Sequence, residues 1–139
     1  EAAATAYEAE LRRFFRIERG GLPRFDLIFL GMGEDGDTES IFPGSVALNE
    51  KKRWVAAAYI DRLKAYRLTL TFPVINAAAQ VIFLISGESK RAIVKQLLGT
   101  GVDSSNFPAV KVSPTDGKLT WLITEDAADG LSAKQWDKE

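Results

Sequence analysis

The chain has 139 residues, 46% of them hydrophobic and 27% charged, with a formal net charge of −1. That is the make-up of one ordinary globular domain, and it leaves no basic surplus for a nucleic-acid or membrane surface. There is no cysteine and no histidine, which excludes disulfides and thiolate metal sites and removes the commonest general base near neutral pH. Any catalysis must then rest on carboxylates, Lys, Arg, Ser, Tyr or backbone amides. Apolar runs such as 81–85 are too short to span a bilayer, and residues 1–7 lack the basic start and apolar core of a secretion signal. The cytoplasm is the expected compartment.

In chain order, residues 2–17 combine high helix propensity with a spacing that sets Tyr7, Leu11, Phe14 and Phe15 on one side; Gly20, Gly21 and Pro23 follow as terminators. Residues 25–30 form an almost unbroken apolar run that stops at Gly31, the habit of a parallel strand buried on both faces. Residues 54–59 predict a short strand, and 66–72, alternating with β-branched and aromatic content, a second. Pro73 then opens a helix whose first turns are 74–79. Another buried strand is predicted at 81–85, turned by Ser86-Gly87 into a helix over 88–98 that Gly99 and Gly101 close. Residues 110–112 predict an edge strand, Asp116-Gly117 a turn, 118–123 a further strand and 125–131 a terminal helix, with a loose charged tail after Trp136. Strands alternating with helices indicate one α/β domain over 1–139, three-layered, with a mainly parallel sheet and flanking helices. Because the chain opens in a helix with no leading strand, this architecture is expected to lack its N-terminal part.

Gly31-Met32-Gly33-Glu34-Asp35-Gly36 has the G-x-G-x-x-G spacing found after the first strand of dinucleotide-binding units. Such a site needs a long helix behind the third glycine. Here residues 37–42 run straight into Pro43-Gly44, and Glu34, Asp35, Asp37 and Glu39 would repel a pyrophosphate. A tight turn alone would account for one or two of the glycines, but not for the acids threaded among them or the Phe-Pro-Gly stop. Parallel sheets place ligands at the carboxyl ends of their strands, so the segment reads as a binding or catalytic loop.

The run from Phe25-Asp26-Leu27 through Gly31-Met32-Gly33-Glu34-Asp35-Gly36-Asp37-Thr38-Glu39-Ser40-Ile41-Phe42-Pro43-Gly44 closely resembles the 6-phosphogluconolactonase signature, FDL followed by apolar residues and GxGxDGHTxSLFPG. Arg67-Leu68-Thr69-Leu70-Thr71 with Pro73 and Asn76 is similar to that family's RxTLTxPxxNxA block. Ser86-Gly87-Glu88-Ser89-Lys90 resembles its strand-Gly-x-x-Lys turn, and Pro108-Ala109, Pro114, Gly117-Lys118-Leu119 and Trp121 resemble its closing segment. Glucosamine-6-phosphate deaminases share the GxGxDGH loop but continue differently.

The resemblance implies a Rossmann-like fold of the sugar-phosphate isomerase type, of which this chain would be the C-terminal portion or a degenerate copy. It implies hydrolysis of 6-phosphogluconolactone to 6-phosphogluconate in the pentose phosphate pathway, with no metal or cofactor. The partner would be a small sugar phosphate, with no nucleic acid or membrane involved and homo-oligomerisation left open. The candidate catalytic residues are Asp37 and Asp35, and the candidate substrate-binding residues are Gly31, Gly33, Gly36, Arg67 and Lys90. Asp37 stands where the family motif has its histidine. Its carboxyl is shorter and has an ordinary pKa of about 3.9 against about 6.5 for imidazole, so activity is expected to be impaired unless Asp37 or Asp35 is raised. Lys90 falls in the first helical turn after Ser86-Gly87, where a cation and amides can meet an anion; a solvated surface lysine is the alternative. Arg67 either lines the site or pairs with a nearby acid. Asn76 is expected to satisfy backbone groups, and Trp54 and Trp121 to be core residues. Two other functions stay open: a sugar-phosphate isomerase or deaminase, and a non-catalytic sugar-phosphate-binding or partner protein.

Overall fold

The computed structural model describes residues 1–99 and 103–132. Helix α1 (Ala2–Phe15) is followed by strand β1 (Ile28–Leu30), β2 (Val55–Ile60), β3 (Ala65–Leu70), α2 (Phe72–Ile75), β4 (Gln80–Ile85), α3 (Arg91–Leu98), β5 (Lys118–Ile123) and α4 (Glu125–Ala128). Among the described residues, β1, β4 and β5 form a parallel sheet with β4 in the middle. Ile28 pairs with Val81 and Leu30 with Phe83, while β4 pairs with β5 from Gln80↔Lys118 to Ile85↔Ile123. The mixed α/β architecture read from the sequence is the one observed.

Because strand side chains alternate, one set of residues from these strands faces the core. Ile28, Leu30, Val81, Phe83 and Ile85 are buried in a cluster with Ile93, Val94 and Leu97 of α3. Trp121, paired with Phe83 across the ladder, stacks on it at 4.1 Å with planes 8° apart. The opposite set is open: Phe29, Leu84 and Leu122 are 57%, 50% and 51% exposed. The expectation of a first strand buried on both faces is therefore corrected. The strand is three residues long and lies at the edge of the sheet.

The strands at 55–60 and 65–70 pair with each other, antiparallel, from Val55↔Leu70 to Ile60↔Ala65, and not with the parallel sheet. A 3₁₀ turn at Asp61–Leu63 and left-handed Lys64 close this hairpin. Helix α1 docks on its base. Ala4 and Leu11 are buried, whereas Tyr7 and Phe14 point outward, contrary to the predicted apolar stripe. The polar residue between them explains the rotation. Glu8 Oε2 accepts hydrogen bonds from the amides of Trp54 (2.9 Å) and Val55 (3.4 Å), and Oε1 accepts from Arg12 Nη2 (2.8 Å). Arg12 in turn lies 4.0 Å over the Trp54 ring. Burial opposes the Glu8 charge, but the Arg12 and amide bonds outweigh it and hold the carboxyl below its usual range. The helix stops at Phe15 because Arg16 turns left-handed (φ 56°) and caps the last carbonyls, before the glycines are reached.

Other boundaries move for local reasons. Residues 110–112 are no strand: Pro108–Lys111 is a 3₁₀ turn, tied to the glycine loop by Ala109 N–H to Gly36 O at 2.9 Å. The helix at Pro73 ends at Ile75, and Ala79 already donates to Phe25 O at 2.8 Å as the chain enters β4. No helix forms over 37–42. The terminal helix stops at Ala128, two residues before left-handed Gly130. Asn76 takes the backbone role expected of it: Nδ2 donates to Lys111 O at 3.0 Å, and Oδ1 accepts from the Ser113 amide at 2.8 Å. Gly101 and the tail beyond Trp136 lie outside the described residues. No helix of the described residues is long and apolar enough to cross a membrane.

Candidate functional site

Strands β1 and β4 run parallel and adjacent, so the loops after Leu30 and Ile85 leave the same edge of the sheet. The loop after β1 folds back on itself. Gly33 N–H donates to Asp37 O (2.9 Å), Gly36 N–H to Gly33 O (3.1 Å), and Thr38 Oγ1 to Gly31 O (2.9 Å). Two glycines are required sterically. A Cβ on Gly33 would lie 2.0 Å from Asp37 Oδ1, and Gly36 combines φ +67° with a Cβ direction blocked at 2.7 Å by Phe107. Gly31 has open space and contributes its carbonyl. Between Thr38 and Ile41 the chain makes a tight reversal with Glu39 at φ 55°, a strained conformation for a side-chain-bearing residue.

Residues 31–33 and 37–40 line a cleft of about 390 Å³. At its wall Asp37 is 8% exposed, and Oδ1 is buried without a hydrogen bond. Burial pushes this carboxyl above its usual range, as does the neighbouring Asp35 charge; its own amide, Arg62 and Lys90 pull the other way. Burial also raises Glu39, an effect limited by the residue's open surface. A larger hollow of about 530 Å³ beside Leu22, Leu48 and Phe72 is mostly apolar and holds no unpartnered buried polar group. The smaller cleft is the better candidate for chemistry. Among the described residues no three His, Cys, Asp or Glu side chains converge as cation ligands.

The predicted residues are brought together unequally. Gly31, Gly33 and Asp37 line the cleft; Gly36 shapes the turn behind it. Asp35 is exposed beside the cleft and ion-paired with Arg62. Lys90, half-buried in the 3₁₀ turn Glu88–Lys90 that precedes α3, lies near enough for its charge to act on Asp37. Arg67 is exposed on β3 opposite Ala58 and does not line the cleft. The residue that sequence reasoning missed is Arg62, at the hairpin tip. Its Nη1 contacts Asp35, its Nη2 lies 3.8 Å from Asp37 Oδ1, and its guanidinium sits 4.4 Å over the Phe42 ring. No local motif marks it. Only the antiparallel pairing of 55–60 with 65–70 carries it back to the loop.

With that geometry in view, a family profile described as glucosamine-6-phosphate isomerases/6-phosphogluconolactonase matches residues 1–121. The chain is 40% identical over 131 residues to the 6-phosphogluconolactonase of Synechocystis sp., covering 94% of this chain and 53% of that one. To the rat 6-phosphogluconolactonase it is 42% identical over 133 residues, 95% of this chain and 50% of the relative. The crystal structure of 6-phosphogluconolactonase from Leishmania guyanensis superposes with a TM-score of 0.81 at 28% identity, over 95% of this chain and 53% of that one. The three-dimensional structure of 6-phosphogluconolactonase from Trypanosoma brucei gives 0.80 at 30% identity, over 94% of this chain and 53% of that one. The chain spans about half the length of the curated relatives it matches.

Proposed function

Because the chain belongs to the glucosamine-6-phosphate isomerase/6-phosphogluconolactonase family, we propose that it carries the water-activating part of a site hydrolysing 6-phosphogluconolactone to 6-phosphogluconate, without cofactor, in the cytoplasm. The observation that carries this reading is the Asp37 carboxylate, buried against Gly33 with Oδ1 lacking a hydrogen-bond partner at the wall of the cleft. Desolvation makes it a better proton acceptor than a free aspartate. In the proposed step a water oxygen bonds to the lactone carbonyl carbon while its proton passes to Asp37. Collapse of the tetrahedral intermediate then breaks the ring C–O bond, and the leaving ring oxygen takes the proton back. Lys90 supplies positive charge near the acid loop for the anionic substrate.

Substitution at Asp37 tests this directly. Asp37→His restores the imidazole of the family motif and is expected to raise the lactone hydrolysis rate by about 10²–10⁴, while Asp37→Ala abolishes what activity the chain has. Equal rates in all three forms, measured with the sugar-phosphate lactone, would overturn the role of Asp37. Saturable binding of 6-phosphogluconate without turnover in any of them would point instead to a non-catalytic sugar-phosphate-binding protein.

A further inference from the structure

We propose that Arg62 is the positioning residue of the cleft: from the tip of the hairpin its guanidinium grips the glycine loop and keeps the Asp37 carboxylate set against Gly33 and facing the cavity. Three separate contacts run from this one side chain to the loop, an ion pair to Asp35, a 3.8 Å approach to Asp37 Oδ1 and a face-on contact with Phe42. A solitary surface ion pair would contribute little. Here, though, one partner is a buried carboxylate whose Oδ1 has no hydrogen bond, so a nearby cation is its main compensation on that side. The Phe42 ring restrains the guanidinium plane, which a freely rotating lysine ammonium could not match.

The charges facing Asp37 come from three elements: Asp35 on its own loop, Arg62 on the hairpin and Lys90 on the turn before α3. Arg62 is the one of the two cations placed within ion-pair distance. It also offsets Asp35, which would otherwise add repulsion both to Asp37 and to any anionic substrate entering the cleft. The significance of this for catalysis rests on the proposed function of Asp37, but the physical coupling does not.

The experiment is a ¹³C NMR titration of the Asp37 carboxyl in the full chain, with Arg62→Gln, Arg62→Lys and Asp35→Asn variants, alongside lactone hydrolysis as a function of pH. Loss of the cation in Arg62→Gln is expected to increase the proton affinity of Asp37 by about tenfold, with Arg62→Lys recovering part of that change. Asp35→Asn removes a like charge and frees Arg62 for Asp37, so it moves the titration the opposite way. An Asp37 titration unaltered in a folded Arg62→Gln protein overturns the inference. So does an Asp35→Asn variant whose Asp37 titration stays put or moves upward, a test that stands even if Arg62→Gln folds poorly. Should the titrations shift as stated while no form hydrolyses the lactone, the coupling stands and the proposed function falls. Hydrolysis with unmoved titrations means the reverse: the function stands and the coupling falls.

Discussion

The parallel sheet and the hairpin contribute to the cleft by different physics. The sheet joins strands far apart in the chain, 28–30, 80–85 and 118–123, and is held on one face by buried side chains packed against α3. The hairpin pairs neighbours in sequence and is anchored at its base through Trp54, Val55 and the Glu8–Arg12 pair of α1. Its tip is exposed, with Tyr59 and Tyr66 stacked edge-on at 5.1 Å. The sheet therefore sets backbone: where the loop leaves β1, and with it the Gly33 niche beside Asp37. The hairpin delivers a charge. Backbone geometry from one region and a charge from the other meet at one acid.

The comparison predicts where stability is concentrated. Phe83 is fully buried in the core cluster that includes α3 and stacks on Trp121, so Phe83→Ala should cost about 3–5 kcal/mol in chemical denaturation. If the cost were under about 1 kcal/mol, the sheet would not be the dominant core. At the hairpin base, Glu8→Gln replaces a carboxylate that accepts from two amides and Arg12, and should cost about 1.5–3 kcal/mol near neutral pH. Because Glu8 is held below its usual range in the folded state, its contribution is present above the ordinary glutamate pKa and fades as pH falls through the depressed value. Wild type and Glu8→Gln should thus converge in acid; a gap independent of pH would contradict the charge-based anchoring. The smallest effect belongs to the open face. Leu84, next to Phe83 in sequence but half exposed, should lose no more than about 1 kcal/mol on substitution by alanine. Equal losses at 83 and 84 would mean that both faces of the sheet are covered in solution.

Local signals made much of this readable beforehand. Gly31, Gly33 and Asp37 follow an apolar run that suits a strand, and Lys90 follows a second one, so the carboxyl-end rule for parallel strands already suggested a shared edge. Glu8 was hidden because a charged residue on a helix normally marks the solvent side; it lies inward here because two strand amides need an acceptor. The 110–112 segment misled because Val112 is buried and Val110 half-buried, as in a strand, but their amides donate to Ala109 O and Phe107 O inside a 3₁₀ turn rather than to a ladder.

The sequence alone determined the alternation of strands and helices, the tight acid-bearing turn and the absence of imidazole, because periodicity, glycine sterics and residue chemistry are local properties. Tertiary structure decided the rest. Arg62 lies 27 positions from Asp35, and whether it meets that loop depends on the hairpin's register and on how its base docks against α1. Likewise, which face of the parallel sheet is buried depends on which helices pack there, since the apolar residues alternate on both faces and composition cannot choose between them.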